Sequence, residues 1–221
     1  MNWMIGVAFS VAVSVFGTVK LFKPKVPLYF KMAVCASWCY TAQLLYQLCM
    51  LYCVGSSVGY SDNILSGLGT NAYAAFVFAA NYGPFDSIMD GGNRKNRAVR
   101  LIALAAPTLF LGLTAVLTYF WYQSGEPFLE FIGYVALSAS LMPGCVYFNL
   151  KYLLIRDDDV LIRGVRPINV CSLLFCFAFL AEMFASILGF TVLNDVFTYM
   201  LIGLAAATVF AADWGRRKWR S

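Results

Sequence analysis

Residues 3–25 read WMIGVAFSVAVSVFGTVKLFKPK. An uncharged run from Trp3 to Val19 is closed by Lys20, Lys23 and Lys25. About 20 helical residues cover the ~30 Å hydrocarbon layer of a bilayer. No water at that depth satisfies peptide N–H and C=O groups, so a lone apolar run of this kind has to be a helix. Only Met1 and Asn2 precede it, without the basic head of a cleavable leader. We therefore read it as a first transmembrane helix that enters with its N-terminus outside.

Outward from this block the pattern recurs. Helices are predicted over 3–22, 28–53, 63–83, 98–122, 128–153, 168–192 and 195–214, separated by glycine- and asparagine-rich links such as Gly91-Gly92-Asn93 and Ser124-Gly125-Glu126-Pro127. The composition agrees, being 61% hydrophobic and 12% charged over 221 residues. That charged share is about half the value of a soluble domain and leaves too little polar surface for one. The predicted fold class is all-α: a polytopic membrane protein with seven transmembrane helices in a single domain, 1–221.

The sixteen lysines and arginines fix the orientation. They fall in four groups of four: Lys20, Lys23, Lys25, Lys31; Arg94, Lys95, Arg97, Arg100; Lys151, Arg156, Arg163, Arg166; and Arg216, Arg217, Lys218, Arg220. These follow helices one, three, five and seven, and the alternate links carry none. Positive residues mark the cytoplasmic side. The expectation is a multi-pass protein of the cell membrane, N-terminus extracytoplasmic and C-terminus cytoplasmic. On this reading the net charge of +5 belongs to a surface facing anionic lipid, not to nucleic-acid binding.

The expected partners are the lipid bilayer and a small-molecule solute, with a homo-oligomer also compatible. The chain has no histidine, and its seven cysteines form no C-x-x-C pair. Neither a metal nor another cofactor is expected; buried thiols four apart on a helix read as small packing residues.

The sequence also matches itself. Ala74-Ala75-Phe76-Val77-Phe78-Ala79-Ala80-Asn81-Tyr82-Gly83 and Ala206-Ala207-Thr208-Val209-Phe210-Ala211-Ala212-Asp213-Trp214-Gly215 are identical at seven of ten positions. Lys20 pairs with Lys151 at nearly the same offset, and Ala42-Gln43-Leu44 lies opposite Ala181-Glu182-Met183. The matches fall in the same order in each half. They divide the chain into repeat unit 1 (1–90), a connector helix four (91–124) and repeat unit 2 (125–221). This is a parallel 3+1+3 internal repeat, a known route to a transporter.

In length, N-out arrangement and 3+1+3 repeat the chain resembles the seven-helix transporters of the SWEET and PQ-loop type. The resemblance implies alternating access between two three-helix bundles, and a substrate-contacting asparagine at Asn71 in helix three. The proline–glutamine signature of that group is absent, and the repeat partner of Asn71 is Gly203. The segment Phe22-Lys23-Pro24 is similar to one in the integral-membrane lysoplasmalogenase family, which implies a lipid-processing enzyme instead; the acidic Gly-Asp motif expected of that family is missing.

Glu182 stands out, because a carboxylate near the middle of helix six is expensive unless it faces a cavity or carries a proton. Gln43 and Gln47 share a face of helix two one turn apart. With Asn71 from helix three, these four are the candidate substrate-binding residues at mid-membrane. Amides and one carboxyl suit a hydrogen-bonding solute such as a sugar, an amino compound or a nucleoside. Asn81, Asp86 and Asp213 end helices three and seven beside basic residues and are candidates for a cytoplasmic gate. No catalytic set is assigned.

Three functions are compatible with these residues. The first is a carrier for a small polar solute. The second is a seven-helix receptor or sensor, which would need a separate output protein. The third is a lipid-processing enzyme of lysoplasmalogenase type, whose acid and base would have to be carboxylates such as Asp86 and Asp213.

Overall fold

The structure, a computed structural model, describes residues 2–24, 26–54, 64–81, 97–124, 128–154 and 160–220. Among them run seven α-helices: α1 (Asn2–Leu21), α2 (Leu28–Cys49), α3 (Ile64–Asn81), α4 (Arg97–Ser124), α5 (Phe128–Leu154), α6 (Val160–Ile187) and α7 (Thr191–Arg220). A π-helical segment, Met50–Val54, prolongs α2. Three helical stretches, Trp3–Leu21, Gly164–Ile187 and Thr191–Arg217, are long and apolar enough to cross a membrane, as in a multi-pass membrane protein.

Local chemistry explains the ends of these elements. Pro27, held at φ −68°, has no N–H to lose and presents its carbonyl to the amides of Phe30 and Lys31, which opens α2. At the other extreme Gly189, at φ +73°, closes α6. The amide of Phe190 reaches back to the Ala185 carbonyl (2.8 Å) and that of Gly189 to Ser186 (3.1 Å), so the turn satisfies carbonyls that the helix would otherwise strand. The chain re-enters a helix at Thr191, and α6 and α7 become a tight antiparallel pair.

Side-chain contacts give the directions of the remaining helices. Ser10 meets Thr41 and Ser14 meets Ser37, so α1 and α2 are antiparallel. Phe16 meets Phe210 while Lys20 approaches Asp213, so α1 and α7 run the same way. Phe78 meets Phe148 and Asn81 meets Asn149, which makes α3 and α5 parallel. Helices α1, α3, α5 and α7 thus point in one direction, with α2 and α6 opposed to them.

The adjacencies form a closed set. α1 packs on α2 and α7; α2 also packs on α3 and α7; α3 also packs on α5 and α6; α6 also packs on α5 and α7; and α4 packs on α5 and α6. The core between them is built of small and aromatic residues, with Phe30, Ala33, Tyr40, Tyr73, Phe175 and Val209 buried.

Two helices, α6 and α7, differ at both ends from the sequence reading. α6 begins at Val160, eight residues before the predicted 168, and stops at Ile187 instead of 192. α7 starts at Thr191 and continues to Arg220, beyond the predicted 214. Charged residues near 163–166 and 216–220 were read as loop, but a helix whose apolar face stays packed carries such residues past the hydrocarbon without breaking. The links 55–63 and 91–96, together with Asp86 and Asp157–Asp159, lie outside the described residues.

Candidate functional site

Two polar pairs lie at the end of the bundle where α6 turns into α7. The first joins α2 to α3. Gln43 Oε1 accepts from the Thr70 amide at 2.6 Å and from the Thr70 hydroxyl at 3.0 Å. Gly69 makes this approach possible: a Cβ there would stand 2.5 Å from the Cys39 carbonyl oxygen and 2.5 Å from Gln43 Cβ. Without a side chain at 69, α3 comes close enough for its backbone to reach a residue of α2.

The second pair joins α6 to α7. Glu182 is 1% exposed, and its Oε1 lies 2.5 Å from Thr198 Oγ1. Each pair leaves a buried polar atom without a hydrogen-bond partner among the described residues, Nε2 of Gln43 in one and Oε2 of Glu182 in the other. Gln47 is buried one turn beyond Gln43, and Asn71 is buried next to Thr70. All four candidate binding residues are therefore interior. Gln43 is joined to α3 right beside Asn71, whereas Glu182 bonds to Thr198 and not to Gln43, Gln47 or Asn71.

The depth of Glu182 differs from the sequence reading. Glu182 precedes the end of α6 by five residues, about 7 Å along the axis. Gln43 precedes the end of α2 by six. Glu182 thus lies nearer a helix end than the sequence reading placed it, whereas Gln43, in the continuous helix 28–54, and Asn71, in α3, lie near mid-helix. The shift follows from the earlier boundary of α6, which Gly189 sets.

Beneath the belt lies an aromatic layer. Phe175 of α6 stacks on Tyr73 of α3 at 4.1 Å and meets Tyr40 of α2 edge-on at 5.4 Å. The Tyr73 hydroxyl is 2.6 Å from Thr208 Oγ1 on α7. One residue from each of α2, α3, α6 and α7 therefore fills the centre of the bundle.

The gate candidates occupy the opposite end. Asp213 is buried, and the guanidinium of Arg216 bonds its Oδ1. Arg217 reaches its Oδ2 at 2.8 Å, with Lys20 Nζ at 4.0 Å from the same oxygen. Arg216 is itself buried, with its guanidinium carbon 5.4 Å from the centre of the Phe30 ring. Close by, the Gly215 backbone packs directly on that of Gly164, so α6 and α7 touch without intervening side chains. Asn81 pairs with no cation among the described residues; its amide donates to Asn149 Oδ1 at 3.0 Å and to the Val77 carbonyl at 3.2 Å. Asn149 in turn donates to Ser172 Oγ at 2.9 Å. Asp86 lies outside the described residues.

No known protein family, characterised protein or solved structure matches this chain. The site is consequently read from its own chemistry. Sequence reasoning missed the threonines. Thr70, Thr198 and Thr208 each bond across a helix interface, yet a threonine in an apolar run looks like any small residue. The serines were equally silent: Ser14 meets Ser37 at 2.7 Å and Thr41 at 2.9 Å, forming a hydroxyl ladder between α1 and α2. Hydroxyls at a spacing of four on facing runs, 10 and 14 against 37 and 41, were the available signal.

A groove of about 420 Å³ between α1 and α7 is lined by Ile5, Gly6, Phe9, Tyr199, Ile202 and Gly203. It includes none of the candidate site residues.

Proposed function

We propose that this chain is a carrier for a small polar solute. On this reading it has seven spans, N-terminus outside and C-terminus in the cytoplasm. Two parallel three-helix units, 1–90 and 125–221, are joined by the helix of 91–124. The site is the belt of Gln43, Gln47 and Asn71 in the first unit and Glu182 in the second.

The observation that carries the reading is the pair of matched polar contacts. Gln43 with Thr70 and Glu182 with Thr198 occupy equivalent helices, α2–α3 and α6–α7, and each keeps one buried polar atom unpartnered. Leaving such an atom unsatisfied costs about 1–3 kcal/mol, which a solute supplying the missing donor and acceptor would recover.

The packing supports the two-unit part. Among the six helices of the two units, exchanging α1 with α5, α2 with α6 and α3 with α7 maps the adjacencies onto themselves: α1–α7 onto α3–α5, and α2–α7 onto α3–α6. A shift of 132 positions carries Phe16 to Phe148 and Phe78 to Phe210. These four form the two ring pairs, 5.4 Å apart in Phe16–Phe210 and 5.2 Å apart in Phe78–Phe148. Lys20 Nζ sits 4.9 Å from the Phe16 ring and Lys151 Nζ 5.7 Å from the Phe148 ring.

Rocking one unit against the other would open the belt. The Tyr40–Tyr73–Phe175 layer, the Asp213 cluster and the Asn81–Asn149 bond would then be the barriers on the cytoplasmic side. The enzyme reading is less well served, because both oxygens of Asp213 are held by arginines.

Two experiments test the proposal. Thermal unfolding of the purified protein in detergent is followed with glucose, alanine, uridine and lipids, alongside Glu182→Gln. Stabilisation by a soluble compound that disappears in Glu182→Gln is the expected result, and uptake of that compound into proteoliposomes follows. Stabilisation by lipids alone, unchanged in the variant, overturns the carrier reading. Epitope tags at the two termini, read on intact and permeabilised cells, check the orientation.

A further inference from the structure

One hydroxyl at the α6–α7 end has two claims on it. Thr198 Oγ1 lies 2.5 Å from Glu182 Oε1 and 3.0 Å from the carbonyl oxygen of Asn194, one turn earlier on α7. A threonine hydroxyl has a single proton and donates once, while its oxygen can accept. If Thr198 donates to Asn194, the short contact with Glu182 needs its proton from the carboxyl.

The same helix contains a resolved example of this arrangement. Thr208 Oγ1 is 2.9 Å from the Leu204 carbonyl and 2.6 Å from the Tyr73 hydroxyl. Tyr73 brings a proton of its own, so Thr208 donates back along its helix and accepts from Tyr73. Thr198 has the same back-bond to residue i−4 and the same short contact from the neighbouring helix. The parallel makes Glu182 the donor.

The surroundings point the same way. Every lysine and arginine with a described side chain lies toward the opposite helix ends: Lys20, Lys23, Lys31, Lys151, Arg166, Arg216 and Arg217. On the elements packed against α6, the titratable groups are few. Asp195 and Tyr199 of α7, and Tyr119 and Tyr122 of α4, are exposed. Tyr73 of α3 is bonded to Thr208, and Cys145 of α5 to Ser172. None of these described groups is a cation beside Glu182, and its Oε2 has no donor among the described residues. A carboxylate there would be a buried anion with one hydrogen bond and no counter-charge, which a neutral acid avoids.

We infer that Glu182 is a proton-binding site, protonated in the state described and donating to Thr198 Oγ1. On release, the O–H bond of the carboxyl breaks and the proton passes to water. The Thr198 hydroxyl then turns from the Asn194 carbonyl to the new carboxylate. Protonation thereby sets which partner Thr198 holds, and couples the charge of α6 to a backbone carbonyl of α7. Resting on the carrier reading, this names the proton as the coupled ion. The matching residue of the other unit, Gln43, is an amide that accepts from Thr70 and has no proton to exchange.

Infrared difference spectroscopy on the detergent-solubilised protein near neutral pH tests the site without any solute. The wild type minus Glu182→Gln spectrum is expected to contain the C=O stretch of a protonated carboxylic acid. In Thr198→Val that band is expected to persist at a shifted frequency, since the acceptor of its hydrogen bond is gone. No acid band in the wild type overturns the proposal, and so does a band unmoved in Thr198→Val. Should Glu182→Gln fail to fold, the Thr198→Val comparison decides the question with the same two outcomes. The result is independent of solute uptake, so a failed carrier reading and a failed proton site are seen separately.

Discussion

The two halves of the bundle solve the same packing problem with different chemistry. At the turn end, α2 offers the amide of Gln43 where α6 offers the acid of Glu182. At the other end, α3 closes with the amide of Asn81 where α7 carries the acid of Asp213. The amides bond to neutral partners, Thr70 and Asn149. The acids have opposite fates: Asp213 is surrounded by Lys20, Arg216 and Arg217, and Glu182 meets, among the described residues, a hydroxyl. Geometry alone does not require acids in the second half, because the first half manages without them. The acids are therefore where the two halves part, Asp213 held by cations and Glu182 inferred to be held as a neutral acid.

Making the second half a copy of the first should break this contrast most severely at Asp213. Asp213→Asn keeps the shape but leaves the buried Arg216 without its carboxylate, at an expected cost of about 3–5 kcal/mol. The matching change, Asn81→Ala, removes neutral hydrogen bonds and should cost about 1 kcal/mol. Equal losses in detergent unfolding curves would show that the Asp213 cluster is an exposed, screened pair and not a buried clasp.

The next largest effect is expected at Gly69. An alanine there puts a methyl against the Cys39 carbonyl, a backbone atom that cannot step aside. Overpacking of this kind costs about 1–3 kcal/mol and should loosen the α2–α3 contact. Smaller again are the threonines. Thr70→Val leaves Gln43 its bond from the Thr70 amide, so the loss should sit near the lower end of the ~0.6–2 kcal/mol seen for polar contacts between membrane helices. Thr198→Val removes the single partner shown for the Glu182 carboxyl and should sit near the upper end. The reverse order in chemical unfolding would mean that Glu182 finds another partner.

Much of the fold was legible because it follows from long apolar runs. The run from Trp3 to Val19, and the break at Lys23-Pro24-Lys25, place α1 and the start of α2 to within a residue or so of their observed ends. The α6 boundary was not legible, since Arg163 and Arg166 look like loop residues until a packed helix is seen to carry them. That misreading also set Glu182 too deep. The polar residues themselves were evident, because an amide or acid in an apolar run is conspicuous. Their partners were not: a threonine becomes informative only once the facing helix and its register are known, and that register depends on Gly69 and on the Gly189 turn.

The mildest test concerns Gly203, the counterpart of Asn71 in the proposed repeat. A Cβ at Gly203 would meet nothing within 4 Å, and at Gly6, across the α1–α7 groove, it would meet the flexible end of Ile202 at 2.9 Å. Where Gly69 is confined by backbone, these two face the open groove. Gly203→Ala should therefore shift stability by no more than about 0.5 kcal/mol, the usual range for a site away from packing constraints. The comparison is most informative if this fails. A large loss at Gly203 would mean that the groove is covered in the assembled protein, and sedimentation of wild type and variant in detergent would show whether a second copy of the chain covers it. An unchanged melting curve and an unchanged mass would leave the difference between the halves where the acids put it.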